Sequence, residues 1–183
     1  SLIDKIINNP NISVVAKRVK RSEGLFFQLL YHIHKILTYV FTGKNIDFGN
    51  YSCLIKKDVE KLHSKASLWS SYSGTVKKFI KEFGEINSNR GLRYFGPSQM
   101  SIFKLLIHSF SIIAVFKYNV FLRSTFMIII LAYLNPHFGN ISIFFQILIV
   151  LFNLIIFIVS LREKEKNLNN SHKNIDSVTN ITH

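Results

Sequence analysis

Four arginines are the residues of this 183-residue chain whose type and spacing most suggest chemistry. Arg18 and Arg21 fall where a predicted strand meets the start of a helix. Arg90 and Arg93 fall in the stretch 87–99, which also holds Gly91, Gly96 and Pro97, the composition of a loop beside a ligand. A guanidinium donates paired, charge-assisted hydrogen bonds in one plane, which is the geometry phosphate oxygens accept. Two such clusters near a bilayer would suit a diphosphate and a lipid phosphate. The competing reading is positive charge on the cytoplasmic face, drawn to anionic headgroups. Spacing alone leaves both open. Other chemistries find less support. His32 and His34 are two apart and point in different directions on a helix, and no histidine pair at i, i+4 has a carboxylate nearby. Asp4, Asp47, Asp58 and Asp176 are isolated, so no metal site is expected within the chain. Cys53 has no neighbouring base, and there is neither a Walker loop nor a dinucleotide fingerprint.

The elements that must carry the arginines alternate. Residues 1–9 read as a short amphipathic helix stopped by Pro10, and Ile12, Val14 and Val15 as a brief buried strand ending at the basic run Lys17, Arg18, Lys20 and Arg21. Ser22 and Glu23 can cap a helix reaching about Thr42. Its apolar positions, among them Leu25, Leu29, Ile33, Ile36 and Val40, make a wide stripe on one face. His32, His34 and Lys35 argue against that helix spanning a membrane. A strand over 46–55, short helices from Asp58 and after Trp69, and a last strand at Phe83 and Ile86 complete this part.

Beyond Gln99 the polarity changes. In 101–116, Ser101, Lys104, His108 and Ser111 recur on one side of an otherwise apolar helix, the pattern of a helix lying in the headgroup plane. The uncharged run 124–134 covers only about 16 Å, or about 25 Å if it starts at Tyr118 and Arg123 snorkels, while 141–161 reaches about 31 Å, enough for a hydrocarbon core about 30 Å thick. Lys104, Lys117 and Arg123 precede the hairpin and Arg162, Lys164 and Lys166 follow it; the connection 135–140 has no lysine or arginine. The positive-inside rule then puts both ends in the cytoplasm. The expected organisation is residues 1–99 as a soluble part, 100–117 as an interfacial helix, 118–161 as a hairpin with spans at about 118–134 and 141–161, and 162–183 as a disordered tail.

A formal net charge of +13 implies a polyanionic neighbour. Nucleic acid is disfavoured, because most of the phenylalanines lie in the apolar runs instead of forming a stacking platform on a soluble fold. One cysteine excludes an intrachain disulfide. Residues 1–20 contain no signal peptide, and the chain opens without methionine on a helix that needs a partner surface, so an upstream part is expected.

The order of three segments carries a resemblance: Lys17–Arg18–Val19–Lys20–Arg21–Ser22–Glu23 before the long helix, then Asp47–Phe48–Gly49–Asn50–Tyr51–Ser52, then Arg90–Gly91–Leu92–Arg93–Tyr94–Phe95–Gly96–Pro97–Ser98–Gln99–Met100 before the amphipathic helix and hairpin. Together they resemble the second half of a bacterial family 2 glycosyltransferase, most nearly the polyprenyl-phosphate sugar transferases similar to dolichyl-phosphate mannose synthase. The resemblance covers about residues 1–161. It implies an α/β fold, the second half of a GT-A type domain, followed by the interfacial helix and transmembrane hairpin. It also implies inverting transfer from a nucleotide-sugar donor to a polyprenyl-phosphate acceptor at the bacterial inner membrane. Arg90, Arg93 and Ser98 would contact the donor diphosphate or acceptor phosphate, Arg18 and Arg21 would border the acceptor, and Asp47 and Asn50 would lie near the reacting centre. Asn50 departs from the pattern, since many of these transferases have an aspartate there. Mg²⁺ or Mn²⁺ would be held by an aspartate–x–aspartate motif upstream of this chain, which by itself would bind no metal and be inactive. The rival expectation is a non-catalytic membrane anchor or scaffold that binds anionic lipid and a protein partner.

Overall fold

The computed structural model describes residues 1–20, 25–89 and 101–174. They are mainly helical, with one small mixed sheet and two long apolar helices. Helix α1 (Leu2–Asn8) leads into strand β1 (Val14–Lys20), and helix α2 (Leu25–Thr42) into strand β2 (Phe48–Cys53). Three short helices, α3 (Lys56–Leu62), α4 (Ser67–Ser70) and α5 (Tyr72–Phe79), precede strand β3 (Gly84–Asn89). Then come α6 (Ile102–Ala114), α7 (Lys117–Phe138), α8 (Asn140–Ser160) and α9 (Glu165–Asn169).

The sheet order is β2–β1–β3, with β2 antiparallel and β3 parallel to the central strand. β1 is longer than its apolar residues suggest: Lys17, Arg18 and Lys20 of the basic run expected to end the strand lie within it. Pairing on both edges explains this, because β1 pairs with β3 from Val14–Gly84 to Lys20–Asn89, with a slip after Arg18, and meets β2 at Val14–Cys53 and Lys17–Phe48. The core beneath it gathers Val15, Ile46, Phe48, Leu62, Val76 and Ile112. A buried polar anchor sets the entry to β1: the Ser13 hydroxyl donates to Asp58 (2.6 Å) and accepts from the Ile55 N–H (3.2 Å), while Lys61 pairs with the other Asp58 oxygen at 3.1 Å.

Helix α7 is longer than the uncharged run in the sequence, while α8 matches its run 141–161 in length. Their 22 and 21 residues give about 33 and 31 Å, so both are long and apolar enough to cross a bilayer. Of their most apolar stretches only 11 % and 17 % is buried, whereas a helix in a soluble core would be mostly covered. The turn is a single residue, Gly139 at φ +53°, instead of the six-residue connection expected. The seam of α8 is Ser142, Gln146, Ile149, Asn153, Ile156 and Ser160, alternating three- and four-residue steps that keep small and polar side chains on the packed face. There the Ser142 hydroxyl bonds the Leu131 carbonyl, and Asn153 donates to Ile149 O at 2.8 Å.

Polar contacts tie the sheet to the base of the hairpin. Lys78 donates to the Val115 carbonyl (2.6 Å), and Lys117 pairs with Glu163 (3.2 Å), closing the two ends of the hairpin on one side. The stretch after Leu161, expected to be without structure, carries α9 and a 3₁₀ turn at Ser171–Asn174, with α9 packed near α4.

Gly139 sits where an L side chain is strained. Gly139→Ala should therefore cost about 1–2 kcal/mol, read as a lower unfolding midpoint in detergent. An unchanged midpoint would mean that the turn relaxes freely.

Candidate functional site

Val14, Val15 and Ala16 bury both faces at the start of β1, and at Lys17 the strand leaves the core. Successive side chains of a strand point to opposite faces, so Lys17 and Arg18 serve different surroundings. On the β2 side the register slips between Val15 and Lys17, leaving Gly49, Asn50 and Tyr51 opposite Ala16 alone. Such a bulge bends the strand and re-aims its side chains. Asn50 and Tyr51 are exposed there.

Lys17 bridges two carboxylates, Asp47 at 3.1 Å and Glu85 at 3.3 Å. Hydrogen bonds that Lys17 donates to Asp47 first, then to Glu85, hold the lysine pKa above its ordinary value. Asp47 is 9 % exposed and its backbone carbonyl accepts the Arg18 N–H at 3.0 Å. Its charge is thus compensated by a neighbouring lysine.

Arg18 is half-buried and lies over Gly49. A Cβ at Gly49 would overlap the guanidinium outright, so the glycine is what lets the arginine rest on the strand. The Arg18 charge is felt at His108 of α6. His108 keeps one edge exposed, yet burial foremost and Arg18 second push its imidazole pKa below the ordinary 6.5. The central strand and the helix that leads into the hairpin therefore share one electrostatic environment. Ser111, on the polar side of α6, is buried against the protein, while His108 is exposed; Ile102, Phe103 and Leu106 face outward.

Of the predicted site residues, the structure brings Arg18 and Asp47 to the same strand pair, with Asn50 on the bulge between them. Arg21, Arg90, Arg93 and Ser98 lie outside the described residues. Sequence reasoning did not single out Lys17, Glu85 or His108 as members of this neighbourhood. Lys17 was visible only as part of a basic run, and its pairing with Glu85 needs the parallel β1–β3 register. The described part thus brings a guanidinium, Arg18, and a charge-compensated carboxylate, Asp47, to one strand pair. Among the described residues no three His, Cys, Asp or Glu side chains come together as a metal site, and Asp47 and Asp58 are each engaged by a lysine. The donor set does not fit a divalent cation. The chain matches no protein-family model, no curated protein and no solved structure.

Two consequences are measurable. Gly49→Ala should displace the Arg18 guanidinium and raise the His108 pKa part of the way back, read from imidazole carbon shifts in an NMR titration. An unmoved titration would sever the link between Arg18 and His108. Since the folded His108 pKa lies below the unfolded one, the unfolded chain binds more protons between the two values. Stability is then full above about pH 6.5 and declines as pH falls through that window. His108→Gln should flatten this decline in melting experiments across pH.

Proposed function

We propose that this chain is the C-terminal part of a membrane-bound, inverting glycosyltransferase of family 2 with a GT-A type catalytic domain. It would transfer a sugar from a nucleotide-sugar donor to a lipid-linked or other membrane-proximal acceptor, best a polyprenyl phosphate, in cell-envelope glycan synthesis. The observation that carries this reading is the pair of long apolar helices reached directly from α6, with basic residues at their base. It supports a transferase seated at the cytoplasmic face, where a lipid-linked phosphate would lie. The order of the three sequence segments adds to it, with Arg21, Arg90, Arg93 and Ser98 supplying the remaining contacts.

In this reading both termini and the site face the cytoplasm, in keeping with the basic residues at the base of the hairpin. The acceptor phosphate is already an anion and needs little help from a general base. The dominant requirement is to stabilise charge on the departing nucleoside diphosphate, a task for preorganised guanidinium groups. The whole enzyme would use Mg²⁺ or Mn²⁺ held outside this chain.

The test is transfer from a radiolabelled nucleotide sugar to polyprenyl phosphate in membranes expressing the entire open reading frame. Arg93→Ala should lower transfer by about 10²-fold or more, and the variant should still resist carbonate extraction. Retained transfer would remove the assigned role. One observation favours the second reading, a membrane anchor or scaffold: Asp47 is neutralised by Lys17 and not open to a reacting centre. Absence of transfer by the intact reading frame, with membrane attachment preserved, would select it.

A further inference from the structure

Helix α2 is amphipathic in the inverted sense. The side it turns toward the protein carries Thr38 and Thr42, 2 % and 1 % exposed, with His34 and Lys35 half-buried on the same side. The opposite side carries Leu25, Leu29, Ile33, Ile36 and Val40, and Leu25, Leu29 and Ile36 are 85 %, 59 % and 63 % exposed. A helix on a water-soluble domain does the reverse. Its apolar stripe spans the helix, far beyond the scattered apolar residues that any surface tolerates.

The C-terminal end of α2 is fixed to the hairpin. Arg123 of α7 donates to the Val40 carbonyl (3.1 Å) and packs against Gly43, and Asn119 donates to the Thr42 carbonyl (3.4 Å). Phe41 stacks on Phe152 of α8 with ring centroids 4.2 Å apart. Between α2 and the hairpin runs an almost wholly apolar groove of about 580 Å³, walled by Leu37 on α2, Met127 and Leu131 on α7, and Phe145 and Leu148 on α8. The outward face of α2 thus continues without a polar border onto the outward faces of the two long helices. Helix α6 turns its apolar side outward in the same way.

We propose that α2 is a second interfacial helix, with the Leu25–Leu29–Ile33–Ile36 face seated in the acyl region of the bilayer and its polar face against the protein. Lipid is the occupant that this continuity selects: the same hydrocarbon that would surround α7 and α8 reaches α2 across the groove, and the +13 chain would be held there by anionic headgroups. This assignment rests on the hairpin being in the bilayer, not on glycosyl transfer.

The test uses the whole chain with Cys53→Ser, carrying a single spin-labelled cysteine at one position at a time. It is reconstituted in vesicles of roughly three parts zwitterionic to one part anionic phospholipid. Collision with oxygen, which partitions into lipid, is compared with collision with a polar nickel chelate. At Leu29, Ile33 and Ile36 the oxygen-to-nickel ratio should approach that at Leu151 on the outer face of α8. It should exceed that at Lys57 on α3 about tenfold. At Thr38 both collision rates should be low. A nickel-dominated signal at Ile33 would overturn the proposal in favour of water. Low collision with both reagents at Ile33 would overturn it in favour of a covering protein segment. A nickel-dominated signal at Leu151 would overturn the hairpin placement, and this assignment with it.

Discussion

The carbonyls that end a helix need donors, and at the end of α2 they are found on another element. Arg123 reaches the Val40 carbonyl and Asn119 the Thr42 carbonyl, both from the first turns of α7. Gly43, at φ +70°, makes room for the guanidinium, where a side chain would collide with it. A cation at a helix C-terminus also meets the negative end of the backbone dipole. Arg123 therefore fastens α2 to the first long helix. Lys78–Val115 adds a tie from α5 to the end of α6, and Lys117–Glu163 joins the two ends of the hairpin.

The site inherits its position from these ties. Helix α6 cannot move far from the sheet while Val115 is held by Lys78, so His108 stays within reach of the Arg18 charge. Arg18 in turn keeps its place because β2 offers a glycine at the point of contact and bulges just beyond it. Lys17, one residue away, faces the other side and is consumed by Asp47 and Glu85. Adjacent basic residues of one strand thus have different surroundings: Lys17 lies between two carboxylates, and Arg18 lies over Gly49.

Much of this was legible in the sequence, and what was not has a physical reason. The long helix from Leu25, the strands around Val14, Phe48 and Ile86, and the two apolar helices follow from period and composition. The extent of β1 does not, because a strand paired on both edges tolerates Lys17 and Arg18 where an isolated apolar run would stop. The length of the first hairpin helix was underestimated for a similar reason: Tyr133, Asn135 and His137 interrupt the apolar run but not the backbone hydrogen bonds. Arg18 and Asp47 were visible as residue types, yet their relation was not. It depends on cross-strand register, which a one-residue slip would reverse.

Periodicity shows that a helix has an apolar face but not which way that face points. For α2 the choice can be made by magnitude. Fully burying one large aliphatic side chain is worth about 1.5–3 kcal/mol, so five left in water would forgo roughly 10 kcal/mol. That is comparable to the entire stability of an ordinary domain. A fold that turned Thr38 and Thr42 inward and Leu25, Leu29 and Ile36 outward against such a gradient would not persist in water alone. The gradient must be reversed by whatever lies outside. Hydrocarbon reverses it for α2, α6, α7 and α8 at once, whereas a protein cover would have to match four helices separately. The economy of that single explanation is why the bilayer, and not a missing segment, is the surrounding assigned to this face.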